Sequence, residues 1–217
     1  MRSTTAASGP LGVLGGTFDP IHFGHLRTAL ELLDVLALEE VKFVPCREPP
    51  HRDALPERGE VRLEMVSAAL EGEPRFSVDA REYRRSGPSY TVDTLASLRD
   101  EHPSRSLCLL LGMDAFLGLP KWHRWTELLA FAHIVVAHRP GWILPADGPL
   151  GDVLAAHRVL TSEELHADLC GRIFVTPVTQ LEISASQLRR ALAQGSDPKY
   201  LVPDSVREII LRSGCYQ

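Results

Sequence analysis

The chain has 217 residues, 44% hydrophobic and 24% charged, with a formal net charge of -5. That is an ordinary globular composition, enough for one sizeable core or at most two small ones, and it shows no basic surplus for a nucleic acid or an anionic membrane surface. The four cysteines, Cys46, Cys108, Cys170 and Cys215, are scattered without a CxxC pair, which argues against a disulfide framework or a zinc site and for reduced thiols in the cytoplasm.

Residues 1–10 are small and polar and lack the apolar centre of a signal peptide; they read as a disordered lead-in, with 11–217 as one domain. No later run is long enough to span a membrane. Leu11–Leu14 reads as a buried first strand. Asp19 before Pro20 suggests a helix N-cap and first-turn pair, although Gly24 pushes the regular helix later. Leu26, Ala29, Leu30, Leu33 and Ala37 recur at helical spacing, so 24–37 is expected to be a helix. Val41–Pro45 is β-prone, and 47–52, with Pro49 and Pro50, must be loop. A second helix is expected over 57–71, with Val61, Met65, Ala68 and Ala69 on one face. A short strand follows at Phe76–Val78 and a third helix over Tyr90–Leu98. Leu107–Leu111 is the most apolar run and reads as a central strand ending at Gly112. Trp125–Ala130 reads as helix and Ile134–Ala137 as strand. Residues 139–171 are irregular apart from a short helix near 150–156. Ile173–Val175 reads as the last strand, followed by helices over Ser184–Leu192 and Asp204–Leu211. Strands alternating with helices imply a three-layer α/β/α Rossmann-like fold with a mostly parallel sheet. Ligands of such sheets bind beyond the carboxyl ends of the strands.

The chemistry-bearing stretch is Gly15-Gly16-Thr17-Phe18-Asp19-Pro20-Ile21-His22-Phe23-Gly24-His25. A strand, a glycine turn and a helix start form an anion cradle: glycines admit close approach, and the helix start presents free N–H groups and a positive dipole end. His22 and His25 add side-chain donors on one face. Two histidines alone are too few for zinc. GxxxxGK[ST], GxGxxG, HExxH and GxSxG are all absent, which removes the P-loop, dinucleotide-fingerprint, zinc-peptidase and α/β-hydrolase readings. A second candidate is Ile183-Ser184-Ala185-Ser186-Gln187-Leu188-Arg189. There Ser184 can cap a helix, with Gln187 completing a capping box, and Arg189 can present its guanidinium to phosphates. Taken alone, this stretch reads better as a plain helix cap with a solvated arginine.

Together, GGTFDPIHFGH and ISASQLR resemble the HxGH and ISxxxxR signatures of the nucleotidyltransferase superfamily, in the form found in nicotinate-nucleotide adenylyltransferases. Further stretches match that family: Pro49-Pro50-His51-Arg52, Ser89-Tyr90-Thr91-Val92-Asp93-Thr94, Gly112-Met113-Asp114, Lys121-Trp122-His123 and Arg139-Pro140-Gly141. The resemblance covers about residues 11 to 214. It implies adenylyl transfer from ATP to nicotinate mononucleotide, with Mg²⁺ carried mainly by ATP and no metal-ligating residue. It also implies a cytoplasmic enzyme with no nucleic-acid or membrane partner, homo-oligomerisation being left open. The catalytic residues implied are His22, His25 and Arg189. Gly15, Gly16, Thr17, Ile183 and Ser184 would join them around ATP, and His51, Thr91, Asp114 and Trp122 would surround the mononucleotide. Asp19 is a weaker candidate for orienting the loop. Other HxGH enzymes, phosphopantetheine adenylyltransferases and cytidylyltransferases, share the first motif but lack the YTxDT and PPH stretches. A nucleotide-binding regulatory domain without turnover is the non-enzymatic alternative.

Overall fold

The computed structural model describes residues 9–49, 58–138, 143–179 and 181–216. The sheet has seven strands: β1 (Leu11–Gly16), β2 (Glu40–Pro45), β3 (Phe76–Val78), β4 (Leu107–Gly112), β5 (His133–His138), β6 (Arg158–Val159) and β7 (Ile173–Pro177). Their order is β3-β2-β1-β4-β5-β7-β6, and every pairing is parallel. Parallel neighbours need crossovers, and helices supply them. They are α1 (Phe23–Val35), α2 (Gly59–Ala69), α3 (Thr91–Glu101), α4 (Met113–Leu117), α5 (Leu128–Phe131), α6 (Gly148–His157), α7 (Glu164–Ala167), α8 (Ala185–Ala193) and α9 (Asp204–Ser213).

The two-residue period of β4 shows why the sheet is covered on both faces. Leu107, Leu109 and Leu111 enter one core with Val92, Leu95 and Leu98 of α3. Cys108 and Leu110 enter the other with Ala29, Leu32 and Leu33 of α1 and Met65 and Val66 of α2. This is the α/β/α layering expected from the sequence. No helix among the described residues is long and apolar enough to cross a membrane.

The structure adds α4, β6 and α7 to the elements read from the sequence, and it moves the start of α1. The first helix does not begin at Asp19-Pro20, whose peptide bond is cis, but at Phe23 after an extended His22. Phe18 and Ile21 explain the delay: both are buried in the core, which draws the preceding loop inward. The lead-in expected over 1–10 is also shortened. Residues 1–8 lie outside the described residues, but Gly9 O accepts from Arg105 Nε at 2.7 Å and Pro10 O accepts from Glu39 N–H.

Candidate active site

The strand order reverses between β1 and β4, where successive connections leave in opposite directions and open a crevice at the carboxyl ends. A cleft of about 510 Å³ lies there. Gly15, Gly16, Thr17 and His25 line one side, and Thr91 and Trp122 line the other. Residues from the turn after β1, the start of α3 and the segment after α4 are thus brought into one cavity.

On the glycine side, a Cβ at Gly15 would meet nothing within 4 Å, so the strand end is bare toward the cleft. Gly24 is confined: a Cβ there would stand 3.0 Å from two atoms of the His22 ring and 3.3 Å from Leu181 O. Glycine therefore allows the His22 and His25 rings to stack, with centroids 3.7 Å apart. His22 N–H donates to His25 Nδ1 at 3.3 Å, so the neutral His25 ring carries its proton on Nε2. Nδ1 of His22 is buried and finds no hydrogen-bond partner among the described residues. Burial lowers the His22 pKa to about 4. Burial, reinforced by neighbouring His22, lowers that of His25 to about 3. Both rings are neutral at physiological pH and serve as hydrogen-bonding dipoles rather than cations.

The start of α1 is not an open row of donors, as the sequence suggested. Phe23 N–H is taken by Leu201 O at 3.1 Å, and the N–H groups of His25 and Leu26 point to His22 O. On this side the cleft is lined by the turn after β1 and by His25.

Ile183, Ser184 and Arg189 do not line this cleft among its described walls; they form the neighbouring start of α8. Ser184 occupies the N-cap position, but its hydroxyl makes no capping bond, so the expected capping box is not formed. Ile183 packs against the core. Arg189 reaches the loop after β1: Nη1 donates to Asp19 O at 2.6 Å and lies 3.6 Å from Asp19 Oδ2, while Nη2 lies 3.3 Å from Ser186 Oγ. Its guanidinium is aimed at Asp19 and not into the cleft, because the loop offers a carboxylate and a carbonyl at close range.

On the opposite side, Thr91 is the first residue of α3 and Trp122 is half-buried against the second core. Sequence reasoning gave no role to Tyr90, His123 or Glu82, which also line the cleft. Tyr90 and His123 stack with centroids 4.2 Å apart beside Trp122, which makes this wall aromatic. Glu82, in the short 3₁₀ turn 81–84, is buried; it accepts Thr94 Oγ1–H at 2.6 Å and is hydrogen-bonded by Ser89. Burial pushes its carboxyl pKa up despite those bonds. A buried glutamate leaves no local signal, whereas the tyrosine and histidine stand inside motifs already singled out. Asp114 departs from expectation: it is exposed on the first turn of α4 and does not line the cleft. His51 and the Arg139-Pro140-Gly141 turn lie outside the described residues. No group of three His, Cys, Asp or Glu suited to a metal ion occurs among the described residues.

Comparison with known proteins is consistent along the whole chain. The sequence model of the Cytidylyltransferase-like family matches residues 13–191. A relative from Aeromonas hydrophila named "Probable nicotinate-nucleotide adenylyltransferase" is 49% identical over 208 residues, 96% of this chain and 97% of the relative. One of the same name from Methylococcus capsulatus is 45% identical over 207 residues, covering 95% and 99%. The solved structure of Plasmodium falciparum nicotinic acid mononucleotide adenylyltransferase complexed with NaAD superimposes with a TM-score of 0.71 over 96% of this chain and 97% of that one, at 16% identity, a likeness of fold.

Proposed function

The chain belongs to the nicotinate-nucleotide adenylyltransferases within the Cytidylyltransferase-like family, and on that premise we propose that it transfers the adenylyl group of ATP to nicotinate mononucleotide. The products are nicotinate adenine dinucleotide, a step of NAD biosynthesis, and pyrophosphate. The observation that carries this reading is the two-sided cleft: a bare glycine turn with a neutral histidine faces an aromatic wall with a helix start.

In this reading a phosphate oxygen of the mononucleotide attacks the α-phosphorus of ATP in line. The bond from that phosphorus to the bridging α–β oxygen breaks, and its electron pair leaves with pyrophosphate. The nucleophile is already an anion at neutral pH, so no general base is needed, and catalysis is positioning and charge stabilisation. Gly15, Gly16 and Thr17 contact the triphosphate through backbone and hydroxyl. His25, with its Nε2 proton, donates to the oxygens that gain charge, and His22 supports it. Arg189 braces the loop after β1 through Asp19 and, with Ser184 beside it, turns to the β- and γ-phosphates of ATP. Trp122 stacks on the pyridine ring, Thr91 hydrogen-bonds its substituent, and His51 meets the mononucleotide phosphate. Mg²⁺ enters as part of the ATP substrate; a cation held mainly by phosphate oxygens and water suits a site whose described residues form no carboxylate cluster. The substrates are soluble phosphorylated metabolites, which puts the activity in the cytoplasm.

A pyrophosphate-release assay with ATP and a panel of acceptors tests the reading. Turnover with nicotinate mononucleotide is expected. Turnover with phosphopantetheine alone would assign the chain to another reaction of the superfamily, and ATP binding without product would make it a regulatory domain. His25→Ala should lower kcat by roughly 10²–10³, the usual cost of one preorganised donor to a charged transition state. A folded His25→Ala protein with near-wild-type kcat would refute its catalytic role.

A further inference from the structure

Arg62 is a cation inside α2, on the face expected to be apolar, and only 4% of its surface is exposed. The reason lies at the end of the β1–β2 ladder. That ladder runs in register to Gly16 and Pro45, and a final bond joins Cys46 N–H to Gly16 O at 2.8 Å. Beyond it the two strands part and their carbonyls lose their ladder partners. One guanidinium takes three of them: Nη1 donates to Thr17 O at 2.7 Å and Cys46 O at 2.6 Å, and Nη2 donates to Arg47 O at 3.1 Å.

Two features separate this arrangement from ordinary satisfaction of loop carbonyls. The carbonyls belong to different loops, and Thr17 and Cys46 both line the cleft. Arg62 also forms no ion pair with a carboxylate among the described residues, so a buried positive charge stands behind the turn that faces the triphosphate. A buried charge is costly unless it is hydrogen-bonded, and here three backbone carbonyls of the two loops satisfy it. Nη1 alone bridges the two loops, and the planar fork adds a third carbonyl through Nη2 in a fixed geometry that a point-charge ammonium lacks.

We propose that Arg62 is a positioning residue of the transfer: by clamping the loop after β1 to the loop after β2, it sets the separation of the two reacting phosphates. This rests on the adenylyl-transfer reading, in which the first loop holds ATP and the second leads to the acceptor phosphate. Each loop binds its own substrate without the clamp; the in-line geometry between them requires it.

The test compares wild type, Arg62→Gln and Arg62→Lys by kcat at saturating substrates, by separate calorimetric Kd values for Mg–ATP and nicotinate mononucleotide, and by thermal unfolding. In Arg62→Gln, kcat should fall about 100-fold, the scale of a small misplacement of reacting groups, while each Kd stays within about threefold. Arg62→Lys should recover part of kcat. A folded Arg62→Gln protein with kcat within about threefold of wild type overturns the proposal. So does a loss of kcat that matches the loss of folded fraction, or failure of both variants to fold even in the cold, since each makes Arg62 a folding staple. Absence of turnover in the wild type would instead refute the adenylyl-transfer reading, which keeps the two failures apart.

Discussion

The Tyr216 phenol donates to Asp19 Oδ1 at 2.6 Å, joining residues 197 positions apart. Asp19 is also the residue that Arg189 holds, so the loop between β1 and α1 is fixed from α8 and from beyond α9. Burial, with the Asp19 carboxylate adding to it, raises the Tyr216 pKa and keeps the phenol a donor. Tyr216→Phe removes one donor to a largely buried carboxylate and should cost about 1–3 kcal/mol of stability. It should also lower kcat several-fold, because Asp19 turns with greater freedom. Urea denaturation and steady-state kinetics measure both; an unchanged kcat would show that Arg189 alone holds the loop.

The histidine pair should make stability fall with acid above the range in which carboxylates titrate. The folded His22 pKa, about 4, lies below the ordinary 6.5 of an unfolded histidine. The unfolded state therefore binds the proton first as pH drops. Stability from keeping His22 neutral is complete above pH 6.5, is lost progressively below it, and changes no further below about pH 4. Between pH 7 and pH 5 the loss from His22 alone is on the order of 1–2 kcal/mol. Urea denaturation at the two pH values should show a smaller loss in His22→Gln than in wild type; equal losses would mean that His22 titrates normally in the fold.

Gly24→Ala opposes two effects. Alanine favours an exposed helix by about 1 kcal/mol over glycine, yet here its Cβ would lie 3.0 Å from the His22 ring and 3.3 Å from Leu181 O. The steric term acts on the stacked imidazoles, so the variant should melt within a few degrees of wild type but lose about tenfold or more in kcat. A crystal structure of the variant should show the His22 ring displaced; an unmoved ring with full activity would contradict the stated reason for glycine.

Trp122→Ala separates the two sides of the cleft. Aromatic stacking on a heterocycle is worth about 1–3 kcal/mol, so KM for nicotinate mononucleotide should rise roughly 5- to 150-fold while KM for ATP stays put. A rise in KM for ATP would reverse the assignment of the two sides.

Local signals carried much of the architecture. The apolar period of α1 and the all-apolar β4 gave their positions, and the alternation of strands and helices gave the parallel sheet. Features built from distant partners left no such trace. Arg62 in a helical sequence reads as solvated, and only the parting of β1 and β2 explains its burial. Leu201 O over the first N–H of α1, and Tyr216 over Asp19, come from segments with no motif of their own. Short elements were lost for a different reason. α4 has five residues between Gly112 and Gly118, and β6 has two, too few for a period to show. Ser184 misled because its type and position fit a capping box that the backbone does not form.

The hold of Leu201 and Tyr216 on the first loop sets a timetable for the nascent chain. The glycine turn and both histidines are made early, whereas the groups that brace them are made late; Tyr216 follows Asp19 by 197 residues. At usual elongation rates that is a wait of about 10–40 s. Throughout it the ribosome carries a nucleotide cradle whose loop lacks these supports, so capacity to bind substrate should arrive only after Tyr216 has emerged. A stalled or shortened product would hold the signature motif intact and still be unable to keep it in shape.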